Sequence, residues 1–475
     1  MTPRWFLLAY LVVGTLVGAC GPEGRQGGVA TGTCSPGSKR ACYGGLDGTE
    51  DVGPCRGGQQ ACSADALWGP CEGQVVPSQE LCGDGVDNNC NGNIDENADL
   101  DGDGITTCGG DCCDSTECSE PALVNAGAFD APGNMVDDDC NGVVDDAVLL
   151  CDQNLVSNTT NALDYAKAID ICQTTTMTEK KWGVISAALT LADGAGTPAP
   201  ISKAIRPRFG TGVLPKGGLN LALLSTGAAA GRGDTNPSFQ DFQETPSFEG
   251  NGTESPFPQD FVAANGGNLP NAPGCPEPSG TIANDPVMLT LTIRVPTNAK
   301  SFKLATNFFS SEFPEFTCSA FNDFFVVLLD SAYNGVPANP PDKNLAFYQG
   351  GAKYPVGVNL AHGNTGLFTQ CVNGSTGCFG MSGSISTCTS TSQLAGTGLD
   401  SPDPGTCDAN SLQGGGTGWL ETSGNVNPGE IIKLRIAIWD TSDHILDSIA
   451  AIDGFQWSVD PANPGTVILR EHAPN

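Results

Sequence analysis

Most of the chain after Trp182 consists of short runs of β-branched and aromatic residues separated by Gly, Pro and Asn. In the clearest run, Leu289, Leu291 and Ile293 alternate with Thr290 and Thr292. This period of two is typical of a strand with one buried face. The same pattern predicts strands at 184–191, 219–224, 287–295, 301–309, 323–329, 431–439 and 454–459. Many strands and little helix predict a mainly β fold, an antiparallel β-sandwich of jelly-roll type over 151–470.

The region before this sandwich shows no such period. Residues 34–82 hold six cysteines and too little apolar surface to fold on a core alone, which predicts a small disulfide-rich module. The Gly-rich residues 20–33 predict a flexible tether. Apolar residues at helical spacing predict one short helix at 162–172, which a disulfide between Cys151 and Cys172 would bridge.

A six-residue pattern occurs three times within 83–150, with Asp or Asn at positions 1, 3 and 5 and Gly at position 6. This is the first half of a calcium loop, in which the odd positions turn their oxygens to one centre and the glycine permits the sharp bend. The predicted ligands are Asp87, Asn89, Asn91 and Asp95 in the first copy, Asp99, Asp101 and Asp103 in the second, and Asp137, Asp139, Asn141 and Asp145 in the third.

The loops are not EF-hands, because position 12 holds Ala98, Gly110 or Val148 instead of Glu and no amphipathic helices flank them. Their oxygen donors favour Ca²⁺ over copper, which prefers imidazole or sulfur, and no His lies in the repeats. The charge of −32 excludes binding of nucleic acid by charge. Because no Lys or Arg lies between Arg56 and Lys167, bound cations would make the acidic repeats compact; the alternative is a disordered acidic linker.

Cysteine usage and the N-terminus indicate an oxidising compartment. Twenty of the 21 cysteines can pair once Cys20 is set apart. Arg4 precedes an apolar segment too short to span a membrane comfortably, and residues 16–20 resemble a bacterial lipobox. We therefore predict a lipoprotein signal peptide at 1–19, an acylated Cys20, and an outer membrane lipoprotein exposed at the cell surface. The alternative is ordinary cleavage nearby, with Cys20 left as a spare thiol.

Two stretches resemble known families. Residues 86–96, 99–104, 111–114 and 136–146 resemble the MopE-like metal-binding repeat of bacterial surface proteins, although Cys113 stands where that pattern has a carboxylate. The family name implies copper. Residues 224–227, 308–316, 415–420, 438–448 and 453–455 together resemble the choice-of-anchor L domain. That resemblance implies an extracellular β-rich domain with no established activity.

Acidic residues also cluster where predicted strands of the sandwich begin or end. They predict a second calcium site, with the alternative that these groups cap turns. The candidate ligands are Glu312, Asp323, Asp440, Asp443 and Asp447.

We found no catalytic motif and predict that the protein is not an enzyme. The favoured function is a calcium-binding surface protein whose sandwich recognises a polysaccharide or protein ligand. Two alternatives remain open. A secreted carbohydrate-active hydrolase would use an acidic pair such as Glu312 with Glu315, or Asp440 with Asp447. A passive metal-binding coat protein would have no binding face.

Overall fold

The computed structural model describes residues 34–78, 80–95, 99–114, 120–146, 149–243, 251–403, 407 and 410–470. The chain divides into two compact units. Within these described ranges, the first unit consists of the residues from 34 to 126 together with 130–146, and the second of 127–129 together with the residues from 149 to 470. The predicted signal peptide, Cys20 and the tether lie outside the described residues. Within the described ranges, no helix has both the length and the apolar character needed to cross a bilayer.

Disulfides take the place of an apolar core in the first unit. Its regular structure is one antiparallel pair, β1 (Lys39–Cys42) with β2 (Gly58–Ala61), and two 3-10 turns, Thr107–Gly109 and Pro121–Leu123. Four of its buried apolar residues are half-cystines, and the others described are Ile105 and Val124. The described disulfides are Cys34–Cys62, Cys42–Cys71, Cys55–Cys90, Cys82–Cys108 and Cys112–Cys140. Cys113 is also disulfide-bonded.

The second unit is a β-sandwich, which confirms the predicted mainly β, antiparallel fold. The helices are α1 (Ala162–Ala168) and α2 (Gln259–Ala264). The strands are β3 (Gly183–Thr190), β4 (Lys203–Arg206), β5 (Leu221–Ser225), β6 (Glu254–Pro256), β7 (Ile282–Arg294), β8 (Ser301–Ser310), β9 (Phe324–Asp330), β10 (Gly374–Thr376), β11 (Gly383–Ile385), β12 (Gly415–Gly416), β13 (Leu420–Asn425), β14 (Ile431–Thr441), β15 (Ser448–Ser458) and β16 (Gly465–Ile468). The seven-stranded sheet has the order β16-β13-β8-β15-β5-β4, with β12 beside β8, and the five-stranded sheet has the order β3-β7-β14-β9, with β6 beside β7.

Consecutive strands repeatedly change sheet, as in β7, β8 and β9 or in β13, β14 and β15. The main core lies between the sheets and includes Leu289 on β7, Phe308 on β8 and Val327 on β9. Further apolar clusters cover the outer faces, one around Phe309 and one around Trp439. Strand β9, with the sequence FFVVLLD, therefore buries both faces and is a continuous apolar run, whereas the second half of β7 keeps the predicted alternation.

Two features extend the sandwich at its N-terminal side. The Cys151–Cys172 disulfide is present and closes the segment that contains α1, which ends at Ala168. The short segment 127–129 also packs on the sandwich: the side chain of Asn298 donates to the carbonyl of Phe129 (2.8 Å) and accepts from its amide (3.0 Å). Cys275–Cys318, Cys371–Cys388 and Cys378–Cys407 link the long loops.

Candidate metal centres

The three repeat loops share one hydrogen-bond scheme. The Asp at position 1 accepts from the amide at position 6: Asp87 from Gly92 (3.0 Å), Asp99 from Gly104 (3.0 Å) and Asp137 from Gly142 (2.8 Å). Position 3 accepts from the amide at position 5, and position 5 accepts from the amide at position 7. These hydrogen bonds from each loop's own amides to its side-chain oxygens bend the backbone around a common centre, as in a calcium loop.

Backbone geometry repeats as well. The residue at position 4 has a positive φ in each loop, 58° at Cys90, 81° at Gly102 and 60° at Cys140. The glycines at position 6 have φ between 87° and 94°, a region that favours glycine. The two cysteines that adopt this costly conformation are held by Cys55–Cys90 and Cys112–Cys140. The disulfides therefore hold the loops in the bent form.

The middle loop has the tightest carboxylate cluster among the described residues. One oxygen from each of Asp99, Asp101 and Asp103 lies within 4.8 Å of the others, and the same is true of Asp101, Asp111 and Asp114. Asp101 is common to both triads, and one of its oxygens is buried without a hydrogen-bond partner. The ligands predicted from the sequence did not include Asp111 and Asp114, although residues 111–114 belong to the stretch that resembles the metal-binding repeat.

Repulsion between the carboxylates of this cluster contributes to the raised pKa values of two of its members. Burial, with Asp103, Asp101 and Asp114 nearby, raises the pKa of Asp111 to about 6. Burial also raises the pKa of Asp103, with added repulsion from Asp101 and Asp99. A divalent cation held between these oxygens would remove the repulsion, and the all-oxygen donor set suits Ca²⁺.

The aspartates at loop position 9 accept hydrogen bonds from backbone amides outside the loop. Asp95 accepts from the amides of Gly83 (2.8 Å) and Gly85, and Asp145 accepts from those of Gly133 (2.6 Å) and Asn134. Their carboxylates thus hold the turn that precedes each loop.

Glu80 and Asp130, each seven residues before its loop, play a similar role and had not been singled out in the sequence. Glu80 is 5% exposed and accepts from the amides of Asn89 and Asp95, and Asp130 accepts from those of Asp138 and Asp146. The repeat unit is therefore longer than the loop.

The predicted acidic residues of the sandwich meet at one end of it. Asp323 directly precedes β9 and Asp440 lies near the end of β14, and these strands pair with Trp439 opposite Phe324. Glu312 follows β8 and accepts from the amide of Asp323 (3.3 Å). Asp447 directly precedes β15, and its carbonyl accepts from the amide of Ser311 (3.1 Å). Strand ends from both sheets thus bring these groups to one place, which we call the sandwich end.

Burial at the sandwich end is nearly complete, at 0% exposure for Asp323, 2% for Glu312 and 3% for Asp440. Neither carboxylate oxygen of Asp323 has a hydrogen bond of good geometry, although the carboxyl group of Asp440 and the hydroxyl group of Ser448 approach it. Burial, with repulsion from Asp443, raises the pKa of Asp323 to about 7, and burial and the neighbouring carboxylates raise those of Glu312 and Asp440 well above normal. Among the described residues these three do not form a triad within 4.8 Å, so their oxygens are more widely spaced than those of the Asp101 cluster.

Strained backbone surrounds the sandwich end. Asp285, Ser442 and Leu446 have φ of 48°, 87° and 68°. Such conformations are costly for residues other than glycine and persist where the surrounding contacts enforce them. The buried Asp285 has a basic neighbour, since His444 Nδ1 lies 2.7 Å from its Oδ2. Of the predicted ligands, Asp443 is only half-buried and lies in the loop between β14 and β15.

Residues 278–454 match the family model of the choice-of-anchor L domain. The chain carries a choice-of-anchor L domain. The matched span includes all five predicted ligands of the sandwich end. Residues 77–96 and 120–146 match the family described as "Putative metal-binding motif", whose short name refers to copper and MopE. No curated protein and no solved structure matches the chain.

These matches indicate a surface-associated, metal-binding protein. The two motif matches contain the first and third loops, together with Glu80 and Asp130. The middle loop, with the Asp101 cluster, lies between the two matched segments. The choice-of-anchor L match begins at residue 278, whereas the sandwich already includes β3 to β6, so the fold extends beyond the matched span.

Another buried acidic pair lies in the choice-of-anchor L domain beside Cys378–Cys407. Glu315 and Asp403 are each 7% exposed, and their carboxyl groups lie next to each other. Burial and the Asp403 carboxylate raise the pKa of Glu315 to about 8. Glu315 therefore holds a proton at neutral pH in the folded protein, whereas its ordinary pKa of about 4.3 leaves it ionised in the unfolded chain.

Replacing Glu315 with Gln should change how stability depends on pH. Because the folded-state pKa is raised, the wild type loses stability as the pH rises from about 4.5 to about 8. Glu315→Gln removes that loss, so its melting temperature should exceed that of the wild type by several degrees at pH 9 and by little at pH 5. Thermal melts at pH 5, 7 and 9 measure this. The exposed Glu277→Gln is the matched control, and a pH-independent offset for Glu315→Gln would contradict the assignment.

Proposed function

We propose that the protein is a lipid-anchored surface protein of the outer membrane. In this proposal, calcium-loaded repeats precede a sandwich that recognises a surface polysaccharide or another protein. The observation that carries the calcium assignment is the Asp101 cluster, where two carboxylate triads share one aspartate in a loop with calcium-loop hydrogen bonding. The lipid anchor rests on the lipobox-like residues 16–20.

The ligand atoms that the repeats offer favour calcium over copper. The described cysteines of the repeats are in disulfides and offer no thiolate, and residues 34–150 contain no His. Carboxylate, amide and backbone oxygens remain, which are the ligands of Ca²⁺. The family name alone favours copper.

The proposal extends to a calcium ion at the sandwich end. Asp323 supports it, since a carboxylate that is fully buried without a hydrogen bond of good geometry is costly unless it is protonated or bound to a cation. An ion there would join strand ends of both sheets and stiffen the adjoining loops. Those loops, which include 442–446, are where we place recognition of the ligand.

A hydrolase fits the same residues less well, so we propose that the protein is not an enzyme. A glycosidase needs two carboxyl groups that flank the substrate in an open cleft. Glu312, Glu315 and Asp440 are each at most 7% exposed and are covered by the domain. A passive coat protein would share the metal sites but have no ligand at the loops of the sandwich end.

Calcium titration of the full chain tests the proposal. At a free concentration 100 times the Kd, each ion should stabilise the protein by about 2.7 kcal/mol. Since calcium modules outside the cell bind with Kd of about 10⁻⁴–10⁻³ M, about 10 mM Ca²⁺ should raise the melting temperature relative to EGTA. Mg²⁺ at the same concentration is the control. Identical melts in Ca²⁺ and EGTA, with no bound calcium by elemental analysis, would refute the calcium assignment.

A further inference from the structure

A separate group of aspartates lies where the segment before β3 meets the seven-stranded sheet. Asp152 follows the half-cystine Cys151, Asp170 follows α1, and Asp453 lies within β15. Asp152 is 1% exposed and Asp453 0% exposed, and Asp170 is half-buried beside them. The choice-of-anchor L match contains only Asp453, so two of the three lie outside the matched span.

One oxygen of each fully buried aspartate is held by the loop before β5. Asp152 Oδ2 accepts from the amides of Leu219 (2.5 Å) and Asn220 (2.6 Å). Asp453 Oδ2 accepts from the amides of Lys216 and Gly217. Four backbone amides of this one loop thus fix both carboxylates in orientation, as hydrogen bonds from surrounding groups do for the ligands of a metal site.

The other oxygens lack donors. Asp152 Oδ1 and Asp453 Oδ1 are both buried without a hydrogen-bond partner. Asp170 is close to both: its carboxyl group approaches that of Asp453, and Asp152 repels it. Within the described part of the chain, no Lys or Arg forms an ion pair with these two buried carboxylates or with the third beside them.

The loop is shaped to fit these carboxylates. A Cβ added at Gly217 would lie 1.8 Å from Asp170 Oδ2. One added at Gly218, where φ is +41°, would lie 2.7 Å from Asp152 Oδ2 and 2.9 Å from Asp170 Oδ1. Adjacent glycines are thus required for the backbone to approach the acidic groups this closely.

From this geometry we infer that Asp152, Asp170 and Asp453 bind a calcium ion that fastens the segment 149–172 to β15. The oxygens are more widely spaced than in the Asp101 triads, which lie within 4.8 Å. Calcium accommodates this, because it tolerates variable geometry and accepts water as a ligand between itself and a carboxylate. Burial and mutual repulsion raise the pKa of Asp170 to about 6 and that of Asp453 to about 7. A bound cation would offset the unfavourable free energy of the charged carboxylates that these raised pKa values reflect.

Asp170→Asn in the full chain tests the site. The variant should bind one calcium ion fewer per chain by elemental analysis after dialysis against Ca²⁺. In the wild type, Ca²⁺ should slow amide hydrogen exchange in 149–172 at least tenfold relative to EGTA, and Asp170→Asn should lose that effect. Asp193→Asn, which removes the same charge at an exposed position, should retain both.

Further variants distinguish calcium at this site from calcium at the repeats, and from a proton shared between the carboxyl groups. Asp101→Asn should lower the ion count but leave calcium-dependent protection of 149–172 intact. If Asp170→Asn fails to fold, Asp152→Asn in the segment before α1 gives the same readouts. An unchanged ion count and calcium-independent exchange of 149–172 would mean that a proton, not calcium, holds the carboxyl groups together, and would overturn the inference.

Discussion

Reduction of the disulfides is expected to unfold residues 34–146 while the β-sandwich stays folded. The first unit has two four-residue strands and few buried apolar side chains besides its half-cystines. Its described disulfides close segments of 26 to 35 residues, and each should contribute about 3–4 kcal/mol. Their loss exceeds the stability expected of so small a unit. The sandwich retains its core between the sheets.

Hydrogen exchange followed by mass spectrometry, with and without reductant, would resolve the two units. Paired variants give a finer comparison. Replacing both Cys55 and Cys90 with Ser should unfold the first unit, because this disulfide is buried and anchors the first loop. Replacing Cys378 and Cys407 with Ser should only loosen a loop of the sandwich, because Cys378 is exposed and Cys407 is half-buried. Equal loss of protection in both units on reduction would contradict the expectation.

Asp101→Asn is expected to have the largest effect on calcium binding of any single ligand change in the repeats. Asp101 belongs to both triads of the middle loop, so the change removes a charge from each. Asn retains the side-chain oxygen that accepts from the amide of Asp103 (3.0 Å), so the loop should keep its shape. Affinity should fall by roughly tenfold or more, since even carboxylates beyond the first ligands contribute 10–100-fold in metal sites.

Isothermal titration with Ca²⁺ would measure this effect. Asp47→Asn, an exposed change of the same charge in the same unit, is the control and should bind as the wild type does. Asp95→Asn should have a smaller effect on affinity, because Asp95 holds the amides of Gly83 and Gly85. If Asp101→Asn and Asp47→Asn bind Ca²⁺ equally well, the middle loop is not the site.

The sequence predicted those features that depend on local chain geometry. Positions 1, 3, 5 and 6 of the repeats define a bend by themselves, and the structure has the corresponding hydrogen bonds in all three loops. The strong apolar runs of β8, β9 and β14 were likewise predicted to within two residues of their observed bounds, whereas β7 begins at Ile282, five residues before the predicted start. Both cases need only residues that are close in sequence.

Features that depend on distant contacts were not predictable. Asp111 and Asp114 join Asp101 only through the folded path of the chain. Strand β13 has the sequence LETSGN, and its polar residues gave no strand signal. It is nonetheless buried, and Thr422 Oγ1 lies 2.9 Å from Thr466 Oγ1 on β16 and 3.4 Å from Thr306 Oγ1 on β8. A row of hydroxyl groups inside a sheet can be recognised only when the neighbouring strands are known.

The assignment of residues 127–129 to the second unit has a practical consequence for dissecting the protein. Gly127 accepts from the amide of Thr297 (3.0 Å), and Phe129 packs against the main core. A cut at residue 146 gives an N-terminal fragment that carries this tripeptide away and a C-terminal fragment with an uncovered apolar patch. No single cleavage point yields both units whole, so covalent truncation is a poor way to study either one, and point substitutions in the intact chain are the better tool.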